Sequence, residues 1–503
     1  MTAKLTVYFT SDTHGYLYPT NFADTQPQPM GVLAMSFPKD GNTLVIDGGD
    51  TLQGSPLTYY CHVRGIPMPM AREMNEAGYD YVTLGNHDFN YGYDTMAQYL
   101  KTLQARCLCA NVHDRSGRLP IAGYTVHTLQ NGLRAGLVGI VTDWVKHWET
   151  PENLQNFEIT EPFEAAWDAV EALKGKADVL IGIYHGGLEK DPDTGKILST
   201  TNENIACRLC EELPFDLLLT GHQHIAMANK TCHGVHVVQT PCNAAAYARI
   251  TMGEDGGFFS ELITPPPYAI LKPWEAELYA DLSDWLDRPI GKLSRAIWPE
   301  DKLPMALHGT PIADFINRVQ LAASGADLSC TALGNELRGF DSKVTVRDVV
   351  ASYVYSNTLV ILEVTGKVLR LALEQCARYF TVDDVGQVAI SEPFLQPKEA
   401  HYNYDYYLGV EYTIDLRQPA GSRITRLVRN GNPVKEDDRL TLAMNNYRAT
   451  GAGDFDFFAQ CTRVKEIQTE ISELILNYLR DRDLVEIPDT KPYTVILPDG
   501  TTV

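Results

Sequence analysis

Cysteine is scarce, at ten in 503 residues, far below the density of a disulfide-stapled scaffold. The thiols are expected to be mostly reduced. Cys207 and Cys210 form a CxxC, yet Ala206-Cys207-Arg208-Leu209-Cys210 lies in a helical pattern and no second pair stands at zinc-site spacing. Cys107 and Cys109 fall in a short strand pattern, so neither pair reads as a metal or redox site. Long apolar runs are also missing: no stretch reaches 18 residues, which excludes an ordinary transmembrane helix. Positive charge is in deficit. Lysine and arginine number 42 against 64 aspartate and glutamate, and the net −22 repels nucleic-acid polymers and anionic membrane surfaces. No basic n-region and apolar h-region precede Leu5-Thr6-Val7-Tyr8-Phe9, so the chain as given is expected to be cytoplasmic; an exported protein trimmed of its signal is the alternative. Repeats and low-complexity tracts are lacking as well. Globular domains must therefore account for the length, about three at roughly 150 residues each or two large ones.

From Leu5 to about Ile263, short β-branched runs alternate with amphipathic segments, the pattern of a layered α/β domain. Strands are predicted over Leu5–Thr10, Thr43–Asp47, Tyr81–Leu84, Val179–Tyr184 and Phe215–Thr220. Helices are predicted over Pro69–Ala77, Asp94–Leu103, Glu164–Leu173 and Asn202–Leu213. Asn131-Gly132 between two apolar runs predicts a hairpin of Tyr124–Leu129 with Leu133–Val141. Pro265-Pro266-Pro267 ends this domain, and residues 265–287 read as a linker carrying a helix over Trp274–Leu286. A second, α+β domain is expected over 288–503, with helices such as Pro311–Ser324 and strands such as Arg439–Met444.

Residues that bind hard or borderline cations follow the predicted strands of the first domain. Asp12 and His14 stand in Ser11-Asp12-Thr13-His14-Gly15, Asp50 ends Asp47-Gly48-Gly49-Asp50, and Gly85-Asn86-His87-Asp88 follows the third strand. His185 follows Ile183-Tyr184, and His222 and His224 stand in Gly221-His222-Gln223-His224. Ligand sites in α/β sheets lie beyond the carboxyl ends of strands, so five segments can converge on one crevice. Imidazole, carboxylate and amide oxygen without thiolate suit manganese, zinc, iron or magnesium. Two such ions with a bridging aspartate would leave about +2 locally, +4 from the ions less two carboxylates, which attracts a phosphate despite the acidic total. Each motif alone is commonly structural; the five in order are not.

That order, DxH, GGD, GNHD, H and GHxH, resembles the calcineurin-like metallophosphoesterases, and the second domain resembles the nucleotide-binding domain of the 5′-nucleotidase family. The resemblance implies a calcineurin-like α/β/β/α sandwich and a pair of divalent ions. It implies that Asp12, His14, Asp50 and His224 hold one ion and that Asp50, Asn86, His185 and His222 hold the other, with Asp50 bridging. His87 would then face the phosphoryl group or leaving oxygen while a metal-activated water attacks phosphorus.

Many 5′-nucleotidases of this family have an aspartate three residues after the histidine of GNH; here Asn90 stands there, able to orient the His87 ring without adding charge. The run Gly85-Asn86-His87-Asp88-Phe89-Asn90-Tyr91-Gly92 instead looks like the 2′,3′-cyclic-nucleotide 2′-phosphodiesterase/3′-nucleotidase branch. Tyr353-Val354-Tyr355-Ser356-Asn357-Thr358-Leu359, Tyr402-Asn403-Tyr404-Asp405 and Asn445-Asn446-Tyr447-Arg448 are similar to that branch too. By position, Tyr404 and Tyr447 would sandwich a nucleobase, with Asp454 near the ribose or base edge and Arg338 contacting substrate. Gly334-Asn335-Glu336-Leu337-Arg338 departs from the glycine-rich turn usual in the branch. The alternation of Tyr402, Tyr404 and Tyr406 also fits one face of a strand. The expected activity is hydrolysis of 2′,3′-cyclic and 3′-nucleotides by a monomer or weak dimer. A 5′-nucleotidase or nucleotide-sugar hydrolase is the nearest alternative, and a non-catalytic nucleotide sensor the alternative of another class.

Overall fold

The computed structural model describes all residues except 1–3, 23–25, 200–201, 354, 356, 384–385, 397–398 and 490. Val354 and Ser356 of the tyrosine motif thus lie outside the described residues. The chain forms two compact units, Met1–Tyr279 and Ala280–Val503. Among the described residues no helix is long and apolar enough to cross a membrane. All ten cysteines are free thiols.

In the first unit two large sheets carry most of the strands. One runs Phe258–Ile263, Tyr247–Met252, Leu5–Thr10, Thr43–Asp47, Tyr81–Val82, Arg106–Leu108 and Ile121–Ala122; the other runs Met227–Cys232, Val235–Gln239, Leu217–Thr220, Val179–His185, Arg134–Val141 and Tyr124–Thr128. The period-2 alternation of strand side chains sorts them into layers. Val7, Phe9, Leu44 and Ile46 pack with Leu137, Ile181, Leu217 and Leu219 between the sheets. Val138, Ile140 and Leu218 point the other way, onto Phe163, Ala166 and Val170 of helix Pro162–Leu173 and Leu209 of helix Ala206–Glu212. The expected sandwich forms, and Tyr124–Thr128 pairs antiparallel with Arg134–Val141 as its hairpin signal predicted.

Three local departures have physical causes. Helix Pro56–Arg64 was not legible, because its residues are buried on every side through Cys61 and show no polar face. Tyr81–Val82 stops short of Leu84, where the chain leaves the sheet for the GNHD segment. The helix predicted from Asn202 begins at Ala206 because Glu203 and Asn204 are turned to other work: Asn204 Oδ1 accepts the Gly187 N–H at 2.7 Å.

The second unit holds a five-stranded sheet ordered Asp405–Leu408, Leu328–Ala332, Arg439–Asn445, Thr358–Thr365 and Thr462–Glu470, and a four-stranded sheet around Glu411–Asp415. Helix Pro311–Ser324 matches its predicted bounds, capped by Thr310 and ended by Gly325 in the left-handed region. The linker is not a separate piece. The division falls inside helix Pro273–Leu286, whose first half belongs to the first unit: Tyr279 lies 5.0 Å from the Tyr18 ring, and the Tyr18 hydroxyl donates to the Glu275 carbonyl at 2.6 Å.

Candidate metal centre and substrate residues

Each predicted ligand sits at or just past the end of a first-unit strand, where the backbone turns out of the sheets. The residues gather into two groups, Asp12 with His14 and His224, and Asp50 with His185 and His222; within each, one ligand atom per residue lies within 4.8 Å of the others. Asn86 joins the second group, its Oδ1 standing 2.9 Å from His222 Nδ1 and 3.2 Å from His185 Nε2. In the first, His14 Nε2 and His224 Nε2 face each other at 3.2 Å.

Three observations fit these residues to cations. The Asp50 carboxylate is fully buried; its Oδ1 accepts the His87 N–H at 2.7 Å, while Oδ2 accepts no hydrogen bond and lies 3.2 Å from His185 Nε2. A buried carboxylate oxygen is rarely left so unless something else satisfies it. Five of the seven candidate ligands, Asp12, His14, Asp50, His222 and His224, have left-handed φ between 49° and 71°. Non-glycine residues bear that strain, about 1–3 kcal/mol each, chiefly where function demands the direction of a side chain. Finally, three of the four rings have a fixed far side: His14 Nδ1 lies 2.9 Å from the Gln53 carbonyl, His185 Nδ1 2.7 Å from the Gly48 carbonyl, and His222 Nε2 2.8 Å from Glu203 Oε1. That leaves Nε2, Nε2 and Nδ1 respectively for a metal, the outer support typical of metal-binding imidazoles.

The loops are held from beneath by two buried carboxyls. Asp88 accepts backbone N–H groups from Asp50 at 3.0 Å, Thr51 at 2.8 Å, Leu52 at 2.9 Å and Gly85 at 2.7 Å. Asp47, pushed up to about 7 by burial, accepts from Thr10 Oγ1, the Gly49 N–H and Thr51 Oγ1. The GGD and GNHD turns also touch directly: a Cβ on Gly49, whose φ is +90°, would stand 2.3 Å from Gly85 N.

Electrostatics follow from this crowding. Burial pushes the Asp50 carboxyl up, but His185, His87 and His14 around it hold it well below the usual carboxylate range. Burial opposes protonation of His185, yet Asp50 raises it to about 9. His224 rises to about 10 against burial, through Cys242 and Asp12, whereas burial drives His14 down to about 4. Without metal, His185 and His224 therefore carry protons at neutral pH, and a cation must displace them. Zinc affinity is expected to strengthen with rising pH up to about 9–10, with about two protons released at pH 7.5. Titration calorimetry in two buffers of different ionisation enthalpy measures this directly; proton-neutral binding would contradict it.

His87 belongs to neither group. Its half-buried ring lies 5.3 Å from that of His14, and its Nδ1 stands 2.8 Å from Asn90 Oδ1, the orienting contact expected of Asn90.

The second unit treats its predicted residues unequally. Tyr447, on the short helix Asn446–Ala449, is 39 % exposed and presents a ring. Tyr404 is only 2 % exposed and lies in the core against Tyr379, Phe380 and Tyr406, its hydroxyl donating to the Ala306 carbonyl at 3.2 Å. The expected base contact by Tyr404 finds no support in this packing, because its side chain is buried among core aromatics. Asp454 is exposed, with φ 67°. Arg338 Nε lies 3.7 Å from Asp348 Oδ1, and its buried Nη1 has no hydrogen-bond partner among the described residues.

Several contributors carry no local signal. Buried Arg448 pairs with Asp405 at 2.9 Å, donates to the Tyr402 carbonyl and covers the Phe455 ring, binding the tyrosine strand to the helix that bears Tyr447. Glu203, Gln53, Gly48, Trp148 and Cys242 were likewise missed, since nothing in their neighbourhoods announces a ligand ring far along the chain. Asp88 stood inside GNHD and could have been read as its anchor.

The family description "Calcineurin-like phosphoesterase" matches residues 5–226, and "5'-nucleotidase, C-terminal domain" matches 289–460. The trifunctional nucleotide phosphoesterase protein YfkN of Bacillus subtilis is 23 % identical over 92 % of this chain, which spans only 36 % of that protein. The 2′,3′-cyclic-nucleotide 2′-phosphodiesterase/3′-nucleotidase of Salmonella typhimurium is 24 % identical, covering 90 % of this chain and 82 % of the relative. Among solved structures, a Staphylococcus aureus protein provisionally named a 5′-nucleotidase, in complex with alpha-ketoglutarate, superposes with TM-score 0.87 at 32 % identity, over 98 % of this chain and 99 % of that one.

Proposed function

The chain belongs to the family of phosphoester hydrolases that join a calcineurin-like phosphoesterase domain to a 5′-nucleotidase C-terminal domain, and from that premise we propose that it hydrolyses 2′,3′-cyclic nucleotides and 3′-nucleotides with two divalent ions. The observation that carries the reading is Asp50, whose partnerless Oδ2 lies beside His185 while Asp12, His14 and His224 assemble a second cation site nearby. Asp12, His14, Asp50 and His224 would hold one ion; Asp50, Asn86, His185 and His222 the other. When bound, such a pair supplies Lewis acidity and an activated water. Four imidazoles favour manganese, zinc or iron over magnesium. His87, steadied by Asn90, is placed to exchange a proton with the phosphoryl group, the attacking water or the leaving oxygen.

Nucleoside recognition is assigned to the second unit, with Tyr447 as the stacking surface and Asp454 and Arg338 as polar contacts. Stacking of one base is worth about 1–3 kcal/mol, so Tyr447→Ala should raise KM for nucleotides by about 5–150-fold and leave bis(p-nitrophenyl) phosphate hydrolysis nearly unchanged. Equal losses on both substrates would mean that Tyr447 supports the fold.

Asn90 in place of an aspartate favours the cyclic and 3′ substrates; the 32 % identity to the Staphylococcus aureus protein favours a 5′-nucleotidase as the second reading, with a nucleotide-sugar hydrolase the further alternative on the same fold. A non-catalytic sensor would have little use for seven converging metal ligands. The deciding experiment is kcat/KM for cyclic, 3′-, 5′- and sugar nucleotides with added manganese, zinc, magnesium or calcium. A tenfold preference for 5′- or sugar nucleotides overturns the first reading, and tight binding without phosphate release overturns catalysis.

A further inference from the structure

The segment that follows strand Arg134–Val141 folds as two single-turn helices, Val145–Trp148 and Pro151–Leu154, and reaches both sides of the candidate centre. The Trp148 ring lies on that of His222, with centroids 5.2 Å apart and planes at 25°. The next residue, half-buried Glu149, reaches the other side. Its Oε2 accepts Asn90 Nδ2–H at 2.6 Å, and its Oε1 accepts the Thr150 N–H at 2.6 Å and Asn153 Nδ2–H at 3.0 Å. Asn153 Nδ2 also donates to the Asn90 carbonyl at 2.9 Å. Asn90 is thus gripped by side chain and backbone together.

The chemistry of these groups sets a direction. An ionised carboxylate only accepts, so the Asn90 NH₂ must face Glu149 and Oδ1 must face His87, 2.8 Å from Nδ1. An amide oxygen also only accepts. His87 Nδ1 must therefore carry its proton, and Nε2, which has no partner among the described residues, becomes the atom presented to a reacting group. Without the carboxylate the amide can rotate half a turn at little steric cost, because O and NH₂ are nearly the same size. Its NH₂ would then face Nδ1 and force the proton to Nε2 or push the ring aside.

We propose that Glu149 is a positioning residue: by orienting the Asn90 amide it holds His87 as the Nδ1–H form, in the rotamer that presents Nε2. The inference rests on the phosphoesterase reading above for its catalytic consequence, but not for the proton position. It also explains how this chain manages with an amide where many relatives have a carboxylate, since the carboxylate stands one hydrogen bond further out.

The test compares wild type, Glu149→Ala, Glu149→Gln, Asn90→Ala and the Asn90→Ala/Glu149→Ala pair, all zinc-loaded. The readouts are kcat, KM, metal content and melting temperature, with long-range ¹H–¹⁵N spectra of histidine-labelled protein reporting the His87 tautomer. Glu149→Ala is expected to lower kcat by about 10–100-fold, the usual cost of losing an outer support, with KM and metal unchanged and the Nδ1–H signature lost. Glu149→Gln should lose activity too, because both carboxylate oxygens accept and the amide must turn its NH₂ toward either Asn90 Nδ2 or the Thr150 N–H and Asn153 Nδ2. The double variant should lose no more than the worse single, because both act through one contact. The inference is overturned by a Glu149→Ala kcat within twofold of wild type, by a Glu149→Gln variant at wild-type rate, or by a loss that tracks metal content or melting temperature. Should the alanine variant not fold, an Nε2–H spectrum in wild type overturns it alone. Absence of any phosphoester hydrolysis by wild type would instead sink the functional reading, with the tautomer still measurable.

Discussion

Asp50→Asn should abolish turnover and strip the protein of metal. The side chain is completely buried, shares its surroundings with His14, His87 and His185, and has one oxygen engaged by the His87 N–H and the other partnerless. Asparagine keeps the volume but replaces one oxygen with NH₂, which donates and cannot bridge two cations. It also removes one of the two ligand carboxylates, so the pair of ions would face a site of four imidazoles, two amides and a single carboxylate, Asp12. Losing several kcal/mol of transition-state stabilisation corresponds to about 10³-fold or more in kcat. Metal content by mass spectrometry and rate at saturating substrate should fall together. A variant that keeps two metals and more than about a tenth of wild-type kcat would exclude the bridging role.

His87→Asn should behave differently, lowering kcat by about 10²–10⁴-fold, the usual contribution of a positioned acid–base group, while both metals stay bound. The His87 side chain lies outside both ligand groups and makes its hydrogen bond to Asn90. What His87 gives the metal centre is its backbone N–H to Asp50 Oδ1, and substitution leaves that in place. Activity and metal content should therefore separate in this variant and coincide in Asp50→Asn. If metal occupancy falls in His87→Asn as well, the side chain is a ligand and its assignment to the phosphoryl group is wrong.

The candidate centre was unusually legible because each candidate ligand lies at or shortly after the end of an apolar strand in sequence. A strand end is a local feature, and Ser11-Asp12-Thr13-His14 or Gly85-Asn86-His87-Asp88 states its polarity within four residues. The base-binding side was less legible. Alternating Tyr402, Tyr404 and Tyr406 are consistent with a strand face, but Tyr404, Asp405, Tyr406 and Tyr407 are all buried, because aromatic bulk and the Asp405–Arg448 pair fill both sides of the strand. Period-2 reasoning identifies which residues share a face; it does not say whether that face is open. The predicted linker, 265–287, contains the division between the units. Pro265-Pro266-Pro267 ends a strand, but the following stretch stays with the first unit through Tyr18, Glu275 and Tyr279, contacts far apart in sequence.

By itself the sequence determined the α/β layering, the candidate residues that gather at the strand ends and the amide at position 90, because apolar periodicity and short motifs act over a few neighbouring residues. Only the tertiary structure decided that Tyr404 is core, that Glu203 steadies His222 and that Glu149, 59 positions from Asn90, aims its amide. Those outcomes depend on which side chains the packed sheets and loops bring within hydrogen-bond range, and such range falls off over a few ångströms of space irrespective of distance along the chain.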